Sequence, residues 1–300
     1  MRRKLLAGLV VASLVGIHAA TAQDEKTLTI AVPQEPPSFD VCAMGSNAAS
    51  RIIFGNIGEG LTERDPTTGE LKPLLAVSWE RTSPLTWVFK LRENVKFHDG
   101  APFNAETAAA SIVRTFKPEL NCSVATQAFG AVKVTPKALD EYTLELTTSR
   151  PDPILPLRTS FLGMASPNSP ADKPAEKPMG TGPYRVVSWD HGSQIVLEAF
   201  PDYWGKPGEA TKVVYLFRAE DLVRSQMVAN GEADIAVGLP VEFADQENAV
   251  KFSIPDTTGL RIHMQSPPFT DKRVREAVRY AIDREGLIAA VWNGAATPAS

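Results

Sequence analysis

Two cysteines and four histidines are all that this chain of 300 residues offers to thiol or soft-metal chemistry. The histidines, His18, His98, His191 and His263, are scattered, with no HExxH and no pair at i, i+4. No CxxC occurs either, so the common zinc-site and dithiol spacings are missing. No GxSxG elbow is present to carry a serine nucleophile. The GTG at 180–182 lacks the lysine and the spacing of a phosphate loop. Basic residues are not in excess: 31 Lys and Arg face 35 Asp and Glu, a formal charge of −4. That balance argues against nucleic acid and against anionic lipid as partners. Long apolar runs are absent beyond the amino terminus. No metal or cofactor set and no catalytic constellation is therefore expected.

What is there begins with an export signal. Arg2, Arg3 and Lys4 form a positive region, residues 5–17 an apolar run, and Ala20-Thr21-Ala22 a small-x-small cleavage site. The run is too short for a comfortable membrane span. No cysteine follows the cleavage site, so a lipid anchor is not indicated. The expectation is a signal peptide over 1–22 and a mature protein free in the periplasm. Losing three basic and no acidic residues takes the formal charge from −4 to −7. In an oxidising compartment Cys42 and Cys122 most simply form one disulfide; the alternative is two buried free thiols. Closing a loop of that length is worth up to roughly 4–5 kcal/mol on the chain-entropy model.

The most organised stretch is 86–114. Trp87, Phe89 and Leu91 alternate with Thr86, Val88 and Lys90, so the spacing predicts a strand with one apolar, aromatic face. Asp99-Gly100 signals a turn. Asn104 is placed as a helix N-cap, followed by Ala105, Ala108, Ala109, Ile112, Val113 and Phe116 at helical spacing. Elsewhere, 27–32 reads as a buried strand that the prolines of 34–40 end. Helical character is expected over 48–58, and a hairpin over 131–134 and 141–148. Residues 167–178 form a proline-rich loop leading to Gly180-Thr181-Gly182, whose glycines are expected to allow positive φ. A hairpin over 184–189 and 194–199 follows. Then come a strand at 212–217, a helix over 220–230 and strands at 233–237 and 259–265. A helix from Asp271 takes Thr270 as its N-cap, and a second is capped by Asp283.

Four runs carry a family resemblance. They are VKFHDGAPFNAETAAASIVR, GTGPY with the later PDYWG, GEADI, and DKRVREAVRYAIDREGLI. In this order they resemble the family 5 extracytoplasmic solute-binding proteins of ATP-binding-cassette (ABC) importers, the peptide, opine and nickel class. The resemblance implies an α/β, periplasmic binding protein type II-like fold. Two lobes close on a solute as a venus flytrap, and a β-rich domain is inserted in one of them. It divides the chain into a first lobe from 23–45 and 176–262, an inserted domain over 46–175, and the start of a second lobe at 263–300. It implies a binder of oligo- or dipeptides that hands its solute to a membrane permease, a monomer without cofactor that makes or breaks no bond. An opine, sugar or nickel complex is the alternative solute, and a periplasmic hydrolase the alternative of another class.

In that family the loop after the first strand borders the ligand cleft. Glu35, Ser38 and Phe39 are the candidates there: a charge, a hydroxyl and an aromatic wall. His263 and Gln265, near the expected lobe boundary, complete the candidate ligand-binding set. Family members continue well past the point matching Ser300, so the chain is expected to be truncated in the second lobe. The alternatives are a genuine short relative or a decayed gene. On the truncated reading the helix pair over 271–293 exposes an apolar stripe.

Overall fold

The computed structural model describes residues 26–43, 52–250 and 258–298. The expected signal peptide, and the start of the helix expected from 48, lie outside the described residues. The strands begin with β1 (Thr27–Val32), β2 (Thr62–Arg64), β3 (Leu71–Pro73), β4 (Ala76–Ser83) and β5 (Thr86–Leu91). Helix α1 (Ala105–Thr115), β6 (Val134–Asp140), β7 (Thr143–Thr148) and the single turn α2 (Leu155–Arg158) follow. Next come β8 (Tyr184–Asp190), β9 (Gln194–Ala199), β10 (Lys212–Phe217), α3 (Asp221–Ala229) and β11 (Ile235–Ala236). Two helices, α4 (Lys272–Ala281) and α5 (Arg284–Trp292), close the series. No helix among the described residues is long and apolar enough to cross a membrane.

β1 lies inside a five-stranded sheet of order β11-β1-β10-β9-β8. It runs parallel to β10 and β11, while β10, β9 and β8 are antiparallel. An uncharged TLTIAV run suits a strand paired on both edges, and Ala31 and Val32 are buried. The chain between β1 and β8 builds a second, antiparallel sheet of order β4-β5-β7-β6, with α1 laid against β6 and β7. β6 is its edge strand, and this is why Pro136 is tolerated there without a donor. One buried cluster runs through both sheets, from Phe89, Leu144 and Leu146 to Ile195, Leu197 and Val213.

α1 starts with a reciprocal cap. Asn104 Oδ1 accepts from the Thr107 amide at 3.0 Å, and Thr107 Oγ1 accepts from the Asn104 amide at 2.9 Å. Ala105, Ala108 and Ile112 are buried, but Val113 is 52% exposed; Ser111 and Thr115 take its place on the inner face.

Other expectations are corrected. Residues 53–58 are turns with a Phe54–Gly58 bridge, not an α-helix, and the carbonyls of Asn56 and Ile57 accept from the amides of Tyr184 and Gly182 in another segment. A Cβ on Gly180 would sit 2.0 Å from the Ile57 carbonyl oxygen, and one on Gly182 2.3 Å from that of Asn56. These glycines are therefore needed for close backbone approach; neither has a positive φ. The first hairpin strand lies at Val134–Asp140 instead of 131–134. Residues 258–265 form no strand, since no neighbour supplies a ladder among the described residues. Asp271, not Thr270, caps α4, accepting from the Arg273 amide at 2.8 Å. Asp283 caps α5 from the Gly286 amide at 2.9 Å. Neither helix has a buried residue, and Tyr280, Leu287 and Val291 are exposed.

Cys42 and Cys122 are joined by a disulfide, with Cα atoms 5.2 Å apart and 80 residues of separation. Beside it, buried Asp40 takes both arms of buried Arg114, at 3.0 and 2.6 Å. The same carboxylate accepts from the amides of Cys42 (3.0 Å) and Ala175 (2.7 Å). Replacing both cysteines by serine should lower the unfolding free energy by about 2–4 kcal/mol, as expected for closing a long loop. Urea unfolding of the variant against the oxidised and reduced wild type checks this; equal midpoints for all three would contradict it.

Candidate functional site

In open α/β sheets, ligands are bound by loops at the carboxyl ends of the parallel strands. Four segments meet at that edge here. They are the loops after β1 (33–40), β10 (218–220) and β11 (237–240), and the β8–β9 turn at 191–193. The turn belongs to the group because Gln194, at the start of β9, pairs with Leu216 near the end of β10. Backbone bonds stitch the edge together: Arg218 N to Val32 O at 2.8 Å, Val237 N to Ala31 O at 3.0 Å, and Phe217 N to Ser193 O at 2.9 Å.

Glu35 occupies the centre of this edge. Its Oε1 accepts from Trp189 Nε1 at 2.6 Å and pairs with His191 Nδ1 at 3.0 Å; its Oε2 accepts from the Gly192 amide at 2.8 Å. Trp189 stacks at a tilt on His191, with centroids 4.0 Å apart, and meets Phe39 edge-on at 4.6 Å. The carboxylate thus latches the β1 loop to the β8–β9 hairpin. Ser38 is half-buried, and its Oγ accepts from the Asp40 amide at 3.0 Å. Phe39 is 0% exposed and belongs to the main core, so the aromatic wall expected of it is corrected to an interior prop beneath the loop. His263 and Gln265 are exposed on an irregular segment, where His263 Nδ1 bonds Ser266 Oγ at 2.7 Å. The structure brings Glu35, Ser38 and Phe39 together and shows no contact from them to His263 or Gln265. Among the described residues no group of three or more His, Cys, Asp or Glu is placed to hold a metal ion.

A second acid, Glu59, went unnoticed in the sequence. It is 3% exposed and accepts from Thr181 Oγ1, Tyr203 OH and Trp204 Nε1, each at 2.9 Å. Arg92 lies 4.2 Å over the Trp204 ring, and Lys96 pairs with Asp202 at 3.0 Å. His98 is buried beside this joint, with Nε2 2.9 Å from the Gly182 carbonyl. Burial holds the His98 pKa below its ordinary value. Burial also raises the pKa of Glu59, although the donors from Trp204, Thr181 and Tyr203 pull it partly back. The available signal was an acid between two glycines, Gly58 and Gly60, beside an apolar Leu61.

The architecture is that of the bacterial extracellular solute-binding proteins. Within that class, residues 70–300 match the group described as bacterial extracellular solute-binding proteins, family 5 Middle, and the chain belongs to this family. It is a family of solute binders, not of enzymes. The glutathione-binding protein GsiB of Pectobacterium atrosepticum is 29% identical over 99% of this chain. The binding protein AgaA of A. tumefaciens R10, solved with agropinic acid, is 26% identical over 89% of the chain, with a TM-score of 0.74. DppA of Helicobacter pylori, solved with the peptide STSA, is 25% identical over 89%, with a TM-score of 0.73. The chain spans 59% of the length of GsiB, 56% of AgaA and 58% of DppA.

Two outcomes follow from these side chains. Phe39→Ala should cost about 3–5 kcal/mol of stability, the usual range for a buried phenylalanine. An unchanged unfolding midpoint would return Phe39 to the surface. For Glu59, the folded state holds a proton more firmly than the unfolded chain, whose group titrates near 4.5. Stability should therefore fall as pH rises from 4.5 through the raised value, then level off. Denaturation midpoints across this window should slope less for Glu59→Gln than for the wild type; parallel profiles would show that Glu59 titrates normally.

Proposed function

We propose that this chain contributes the solute-binding part of an ABC importer, acting in the periplasm after removal of a signal peptide. On this reading it binds short peptides between two lobes and delivers them to a membrane permease as a monomer. Residues 23–45 and 176–262 build the first lobe, 46–175 the β-rich insert, and 263–300 belong to the second lobe. What carries the reading is the likeness to GsiB, a glutathione-binding protein, over nearly the whole chain. The STSA-bound DppA adds a second peptide ligand on the same fold.

The mechanism is closure without chemistry. Glu35 and Ser38 border the cleft on a loop that Phe39 supports from beneath, while the exposed His263 and Gln265 remain available to a solute. Peptide main-chain groups supply hydrogen bonds common to every sequence, so affinity tolerates varied side chains. Because the Glu35 carboxylate already serves three donors, its first effect on binding is to hold the loop.

Calorimetry of the purified exported protein with glutathione, di- to pentapeptides and agropinic acid, followed by mass spectrometry of the recovered ligand, tests this. Binding of a peptide recovered intact is expected. Binding of agropinic acid alone would keep the carrier class and replace the solute, and cleavage of the peptide would overturn the reading.

A further inference from the structure

Arg224 is the largest fully buried side chain among the described residues, at 0% exposure in the middle of α3. Its guanidinium spends its donors on backbone. Nη1 donates to the carbonyls of Arg218 and Ala219, both at 2.8 Å. Nη2 donates to the Gly238 carbonyl at 3.2 Å and pairs with Asp221 Oδ1. Nε has no partner. An apolar side chain would fill this space without the desolvation that a buried cation suffers. Bridging three carbonyls from two separate loops, however, requires a planar fork of donors.

Those loops are the ones after β10 and β11, at the carboxyl edge of the sheet. Each is one bond from the exit of β1, through Arg218 N to Val32 O and Val237 N to Ala31 O. Arg218 Nη1 also reaches Ser193 O at 3.3 Å, in the turn beside Glu35's amide donor Gly192. Gly238 keeps a positive φ of 69° where a Cβ would lie 3.5 Å from Pro33 Cγ.

We propose that Arg224 is a positioning residue for solute binding: it sets the loops after β10 and β11 against the β1 loop and so fixes the edge that borders the cleft. The proposal rests on the peptide-binding reading for its effect on affinity, but not for its effect on the loops.

The test compares Arg224→Met, Arg224→Lys and wild type by amide hydrogen exchange and by calorimetry with glutathione and dialanine. In Arg224→Met, the amides of Arg218 and Val237 should exchange about tenfold faster or more, matching the loss of one to two hydrogen bonds. The β1 and β10 interior amides should keep their protection. The dissociation constant for whichever probe the wild type binds should rise about tenfold in step. Arg224→Lys keeps the charge with fewer directed donors and should recover part of both effects. If the methionine variant fails to fold, the lysine variant carries the same comparison. Unchanged loop exchange in a folded variant would overturn the proposal, as would faster exchange with unchanged affinity. If the wild type binds neither these probes nor the longer peptides, the peptide reading fails while the exchange data still decide whether Arg224 positions the loops.

Discussion

Six rungs of parallel pairing between Thr27–Val32 and Lys212–Phe217 hold the edge of the candidate site in being. Every loop of the candidate site leaves from this pair or from a strand beside it. Parallel pairing puts the carboxyl ends of β1 and β10 at the same edge, and β11 adds a third. The antiparallel turn from β9 back to β8 then brings Trp189, His191 and Gly192 to the place where Glu35 emerges. A slip of one residue between β1 and β10 would move the side chains of β1 to the opposite face. It would also separate the carboxylate from its donors.

The second constraint is the joint between the two sheets. Backbone at 180–182 lies so close to backbone at 56–57 that no side chain fits between them. Close packing of that kind leaves polar atoms with nowhere to reach water, so each must find a partner inside. Glu59 answers three such donors at once, and the Gly182 carbonyl meets His98. A charged group in a dry joint is poorly solvated, which is why burial outweighs three hydrogen bonds in setting its proton affinity.

Local pattern made much of this legible. The strand, turn and capped helix of 86–115 could be read because cap chemistry and 3.6-residue spacing are properties of adjacent residues. The β8–β9 hairpin was legible for the same reason. Family membership was legible from motif order. What escaped depends on distant partners. The isoleucines at 52, 53 and 57 are buried, but the segment is bent by contact with glycines far along the chain. Phe39 looked like a loop residue because Trp189, which covers it, is remote in sequence. Residues 259–265 have strand composition, yet a strand exists only when a neighbour supplies its ladder. Arg224 reads as the polar position of an amphipathic helix, because its partners are backbone carbonyls that no sequence pattern records.

The placement of β1 has a consequence in time. It is the first described strand of the sheet to be synthesised and must wait for β10, which begins only at Lys212, before its longest ladder can form. The antiparallel sheet between them needs only nearer partners and, by the usual relation of rate to sequence separation, closes sooner. A nascent chain therefore carries an unpaired, uncharged TLTIAV segment until Lys212–Phe217 has been made. Such a segment is a template for pairing with other chains, so the strand that orders the finished molecule is also an aggregation hazard before its partner is made.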